Sequence, residues 1–138
     1  MGKRENEDLF KEIDTLDADT AEQVFWHHKW RNTNDCEPRC DKCQSPRYYR
    51  IATRRRFNCA DCGHQYTSTS RTIFAGSKLS FKQMLKAACL ADEATLTRAR
   101  VRDVLGVSQS GASPILARIR VIRLTGTVRT DLRDEKRK

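Results

Sequence analysis

Residues 40–62 read CDKCQSPRYYRIATRRRFNCADC. Two Cys-x-x-Cys pairs, Cys40/Cys43 and Cys59/Cys62, are separated by fifteen residues. Such a pair can be a redox dithiol, part of a disulfide framework, or half of a metal site. The redox reading needs a βαβ pattern beside the pair, and none is present. The disulfide reading needs an oxidising compartment. The N-terminus, MGKRENEDLF, has no apolar segment of the signal-peptide kind. No apolar run approaches the roughly 20 residues that span a bilayer. A cytoplasmic protein without a membrane partner is therefore expected, with its thiols reduced.

The spacing is that of a four-thiolate zinc site. Zinc takes its ligands at the corners of a tetrahedron, and each Cys-x-x-Cys folds into a knuckle that supplies one edge. The residues between the pairs are then a hairpin that brings the knuckles together. Gly63 follows the second pair, where the knuckle's turn favours a residue tolerant of positive φ; Gln44 holds that place after the first. Four cysteines close the shell, so one structural Zn2+ is expected, held by Cys40, Cys43, Cys59 and Cys62. Cys36 spaces less well with Cys40 and is left out. Cys89 falls on the apolar face of a helix and reads as packed core. His64 is weighed as a ligand but reads as a strand residue.

Outward from the cysteines the elements follow from pattern. Tyr, Ile, Thr and Phe alternate with basic residues over 47–52 and 55–58, and HQYTST (64–69) follows, which predicts three short strands. Alternation places Arg54 and Arg56 on one face, and Arg55 with Phe57 on the other. Upstream, Leu9, Phe10 and Ile13 share a helical face, and residues 20–30 read as a short helix opened by Asp19 and Glu22 as a capping box. Downstream, Ser80 caps a helix with Phe81, Leu85, Ala88 and Cys89 at helical spacing. Val101, Val104 and Leu105 mark another, which stops at Gly106. Ala112, Ile115, Ile119 and Ile122 mark the last. The predicted fold is α+β: a small three-stranded zinc ribbon between an N-terminal helical segment and a C-terminal helix-turn-helix. The expected divisions are a helical lead-in (1–34), the ribbon (35–76), a helical region (77–124) and a charged tail that frays (125–138).

The net charge of +9 is unevenly spread. Residues 1–24 carry a net −5, residues 25–90 a net +9 and residues 91–138 a net +5. The basic part is rich in arginine, whose fork matches phosphates and guanine edges. A basic chain of this kind points to nucleic acid. Residues 96–123 have the layout of a helix-turn-helix, with Gly106 at the turn. Ser108, Gln109, Ser110 and Gly111 would reach base edges, and Arg118, Arg120 and Arg123 phosphates. Ser113-Pro114 reads as N-cap and first helical residue, which would start that helix late. The arginine run before Cys59 has two expected uses, offsetting the negative charge of a zinc–thiolate centre and contacting phosphates.

These motifs line up, in order, with a known family. Arg54, Arg56 and the second cysteine pair, then Tyr66, Thr67 and Thr69, then Thr72, Ile73 and Phe74, then Ser77 and Lys78 resemble the transposase zinc-ribbon family. That domain opens a group of bacterial insertion-sequence transposases. AEQVFWHHKWRN resembles its preceding helix, with Trp30 and Arg31 in reversed order. VRDVLGVSQSGASPILARIR is similar to the helix-turn-helix that follows. Arg71 stands where the family usually has Gly. Family members continue into a ribonuclease-H-like domain with an acidic triad, whereas only fifteen residues follow position 123 here, with Asp131, Asp134 and Glu135 as their acids.

The resemblance implies the DNA-binding half of a transposase, without catalysis. A sequence-specific transcriptional regulator at the nucleoid is expected, with Arg54, Arg56, Lys78, Ser108, Gln109, Ser110, Ser113 and Arg118 as DNA contacts. Double-stranded DNA is the expected partner, with RNA polymerase and a second copy of the chain as further candidates. Two alternatives stand beside it: an accessory protein that binds terminal inverted repeats, and a protein-docking zinc ribbon using the acidic N-terminus. No nucleophile, base and orienter constellation can be named, so no enzyme is expected.

Overall fold

The computed structural model describes residues 3–30, 37–51, 53, 55–93 and 95–130. Helix α1 (Lys3–Asp14) and helix α2 (Ala18–Lys29) lead into an antiparallel sheet of β1 (Tyr48–Ile51), β2 (Arg56–Cys59) and β3 (Gln65–Thr67). Three helices follow, α3 (Phe81–Leu90), α4 (Arg98–Leu105) and α5 (Gln109–Thr125). The fold is α+β, with the three strands at the places their alternation marks.

Among the described residues there are two cores, and α2 serves both. On one face, Ala21 and Phe25 join Phe10 and Ile13 of α1, Leu85 and Leu90 of α3, Val101 of α4 and Ile119 of α5. On another, Trp26 and Trp30 meet Tyr48, Phe57 and Tyr66 from the three strands. Phe57 lies directly across from Tyr66, and their rings stack at 5.1 Å. Trp30 meets both edge-on. The segment read as a lead-in is thus a wall of each core.

The helix ends follow their caps. Asp17, not Asp19, caps α2, accepting from the Thr20 N–H at 2.7 Å. The Asp19–Glu22 box does not form because the Glu22 carboxylate is buried in other bonds, described below. Ser80 and Gln83 form a full capping box on α3, and the Gln83 amide donates to the Leu105 carbonyl at 2.8 Å, which secures the end of α4. Gly106 closes α4 at φ +69°, a conformation that suits glycine.

Helix α5 begins at Gln109, not at Pro114. Ser108 Oγ accepts from the Gly111 N–H at 3.1 Å, and the Ser108 carbonyl from the Ala112 N–H at 2.9 Å. Burial of Ala112, Ile115 and Leu116 holds this first part helical. Proline removes only the bond to the Ser110 carbonyl, and Ser110 and Pro114 both face solvent.

The expectation that residues from 125 onward fray fails for 127–130. Gly126, at φ +76°, turns the chain back. Val128 is buried in the helical core, its carbonyl accepting from the Ile73 N–H at 3.0 Å, and the Thr130 N–H donates to the Arg71 carbonyl at 2.9 Å. Residues 131–138, with the three acids named above, lie outside the described residues. Among the described residues, no helix is long and apolar enough to cross a membrane.

A buried carboxylate, Glu93, binds the helices together. Arg100 grips it with two bonds of 3.1 and 3.0 Å, and Asn6 of α1 donates to it at 2.8 Å. Both partners come from other elements, so this is a three-way tie between α1, α4 and the end of α3.

Candidate metal centre

The two cysteine pairs sit in two copies of one backbone turn. In the first, the Gln44 N–H donates to the Cys40 carbonyl at 2.9 Å, and the Cys40 N–H to the Ser45 carbonyl at 3.1 Å. In the second, Gly63 donates to Cys59 at 3.0 Å, and Cys59 to His64 at 2.9 Å. The fourth residue after the leading cysteine has positive φ in both, +63° at Gln44 and +76° at Gly63. The turn also aims N–H groups at the leading sulfur. Cys40 Sγ accepts from Lys42 and Cys43 at 3.3 and 3.5 Å, and Cys59 Sγ from Cys62 at 3.4 Å.

The β1–β2 hairpin brings the turns face to face. Tyr48 lies opposite Cys59, and the Ala60 N–H donates to the Arg47 carbonyl at 3.0 Å. Sulfurs then pair across the knuckles: Cys40 with Cys62 and Cys43 with Cys59, each at 3.5 Å. All four lie within 4.8 Å of one another. Zinc–sulfur bonds of about 2.3 Å in a tetrahedron place sulfurs about 3.8 Å apart, so the donor set fits. Four soft thiolates and no open position suit one structural zinc ion.

The electrostatics favour thiolate at Cys59. Burial alone would raise the Cys59 thiol, but the backbone N–H groups of Cys62 and Asp61 bring it down to about 6. At Cys43 the Ser45 backbone favours the thiolate, yet desolvation and the neighbouring thiols push it up to about 12.

Residues 16–65 match the sequence profile of the family described as "Transposase zinc-ribbon domain". This segment is similar to a transposase zinc ribbon. No curated protein and no solved structure gives a significant match to the chain.

Among the described residues, the remaining cysteine and the neighbouring histidine stay out of the site. His64 is not in the cluster and contributes its carbonyl to the second knuckle. Cys89 is half-buried against the helical core, where burial raises its thiol to about 11. Cys36 lies outside the described residues.

Sequence reasoning missed two charged residues that hold the ribbon to α2. Lys29 is fully buried, 3.3 Å from Asp41 inside the first knuckle. It also donates to the Thr67 carbonyl at 2.7 Å and to Ser70 Oγ at 3.2 Å, and Ser70 in turn donates to Asp41. Glu22 is 2% exposed. It accepts from Arg50 at 2.6 Å, Arg55 at 2.8 Å and Ser68 at 2.6 Å, while Trp26 Nε1 donates to Ser68 at 2.9 Å. A sequence signal existed. Glu22, Trp26, Lys29 and Trp30 fall at i, i+4, i+7 and i+8, so these charges lie along the tryptophan stripe.

The arginine run therefore has a use beyond the two expected. Arg55, at φ +48° in the hairpin turn, pairs with Glu22 and Asp19 on the side of Phe57. Arg56 projects from the opposite face of β2 into solvent. Arg54 lies outside the described residues. Arg71, where the family usually has Gly, adopts φ +55°. Lys78 is exposed in the segment before α3. Ser108, Gln109, Ser110 and Ser113 are all exposed at the start of α5, where Arg98 donates to Ser113 Oγ at 3.1 Å. Arg118 is half-buried two turns further on.

Proposed function

We propose that the chain binds double-stranded DNA in a sequence-specific manner and acts, without chemistry, as a transcriptional regulator of transposase descent. One observation carries this reading. Helix α4 ends in the tight Gly106 turn, and the next helix presents a wholly exposed, polar first turn of Ser108, Gln109 and Ser110. This supports reading the pair as a helix-turn-helix, whose second helix would enter a major groove about 12 Å wide. Gln109 is suited to the adenine edge. The free N–H groups and positive dipole end of α5 suit phosphate. Arg118 and Lys78 supply further phosphate contacts, in keeping with a net charge of +9.

The acidic N-terminus supports DNA over protein docking. Glu7 and Asp14 are engaged by Arg100 and Lys86 of the same chain, at 2.9 and 2.6 Å. The nucleoid is the corresponding location, and polymerase would be recruited or blocked by the bound protein.

A gel shift of the zinc-loaded chain on genomic fragments, titrated with salt, tests the reading. A preferred site is expected, with Gln109→Ala relaxing the preference by about 1–3 kcal/mol. Equal binding to random duplex at every salt concentration overturns it. The transposase match at residues 16–65 favours one second reading, binding to terminal inverted repeats beside a separate catalytic chain. Including such repeats among the fragments distinguishes the two.

A further inference from the structure

Residues directly opposed in antiparallel strands project from the same face. The sheet's inner face, with Tyr48, Phe57 and Tyr66, is sealed in the aromatic core. The outer face has two cross-strand rows. Tyr49, Asn58 and Gln65 form one, and Ile51, Arg56 and Thr67 the other. Tyr49 is 65% exposed. Among the described residues, the side chains of Tyr49, Arg56, Asn58 and Gln65 have no hydrogen-bond or ion-pair partner, and the Asn58 carbonyl is an orphan acceptor.

This contrasts with the other arginines on and beside these strands. Arg47 pairs with Asp61, Arg50 with Glu22, and Arg55 with Glu22 and Asp19. Among the described residues Arg56 has no such partner, and no carboxylate lies in either row. Beside it is a shallow pocket of about 160 Å³, lined by Gln65, Tyr66, Thr67 and Ser70.

We infer that this outer sheet face is a second nucleic-acid surface, and that it takes single-stranded DNA. The chemistry selects an unpaired strand. The Tyr49 ring offers a stacking platform, and base faces are hidden in a duplex, so only an unstacked base can use it. The exposed Gln65 amide carries a donor and an acceptor, as base edges do. Arg56 binds the phosphate that follows, with the adjoining pocket giving that group room. The inference rests on the reading that the chain works on DNA, and the measurements below fail separately for the two.

The test is fluorescence anisotropy of a labelled mixed-sequence 15-mer with the full zinc-loaded chain. The wild type is expected to bind it. Tyr49→Ala should weaken binding about five- to a hundredfold, and Tyr49→Phe should restore it. Arg56→Gln should lower the slope of log affinity against log salt by about 0.7, one phosphate contact on a single strand. Arg47→Gln, an exposed arginine already paired, is the surface control. Zinc content and circular dichroism confirm that each variant folds. An unbound 15-mer, or affinity unchanged in both Tyr49→Ala and Arg56→Gln, overturns the inference. Tighter binding of the matching oligoribonucleotide through Tyr49 overturns the assignment to DNA. Duplex binding is scored with Gln109→Ala. Its failure leaves the sheet surface standing, and single-strand failure with duplex binding intact leaves the helix reading standing.

Discussion

Gln44 and Gly63 occupy the same place in the two knuckles, at φ +63° and +76°. For glycine this is an ordinary conformation, whereas a side chain there costs roughly 1–2 kcal/mol. The first knuckle accepts that cost because its turn must still aim two N–H groups at Cys40. Gln44→Gly is therefore expected to stabilise the zinc-loaded chain by roughly 1 kcal/mol, read from the urea midpoint. Single positions of this kind are legible in sequence, because the demand of a metal turn on its fourth residue is local. Arg71 was legible in the same way, as a side chain at a glycine position. Arg55 was not. It read as a strand residue, whereas it turns at positive φ and pairs with Glu22, more than thirty residues away.

At the scale of elements, α2 carries what the sequence concealed. Its charges look like solvent groups until the sheet covers them. Lys29 sits with Asp41, both side chains almost wholly buried. Removing one member of such a pair leaves the other unpaired, at about 3–5 kcal/mol. Lys29→Met is expected to cost about that much, and Lys29→Met with Asp41→Asn to recover at least half of it. A double-mutant cycle on urea midpoints reads the coupling. Full loss in both variants would mean that Lys29 acts through its bonds to Thr67 and Ser70 instead. The helices themselves were legible from their periodicity. Their ends were less so, because caps depend on which side chains are free. Asp19 and Glu22 have the spacing of a cap, but Glu22 is engaged by two arginines and a serine.

Across the whole molecule, the metal and the helices stabilise different cores. Both tryptophans lie in the ribbon's core, while α1, α3, α4 and α5 share the other. Chelation should therefore abolish the near-ultraviolet circular dichroism of Trp26 and Trp30 and leave most of the far-ultraviolet helical signal. Acid should do the same. Zinc binds thiolates, so protons compete for the sulfurs, and the ion is held at neutral pH and released as pH falls. Simultaneous loss of both signals would show that the helices depend on the metal. The order of elements was readable along the chain, since metal spacing and helical period are short-range. The return of residues 127–130 to 71–73 was not. It depends on Gly126 turning Val128 into a core built by distant helices.

The zinc centre has a front and a back. Cys40 and Cys59, the leading members of the two knuckles, are buried, whereas Cys43 and Cys62 are exposed. An electrophile or oxidant from solvent meets one sulfur from each knuckle and not the other. Damage should therefore be ordered: on brief treatment of the loaded protein with N-ethylmaleimide, peptide mass spectrometry is expected to find adducts at Cys43 and Cys62 before Cys40 and Cys59. Each early adduct removes one ligand from a different knuckle, so the ion would leave by losing its hold on both sides at once.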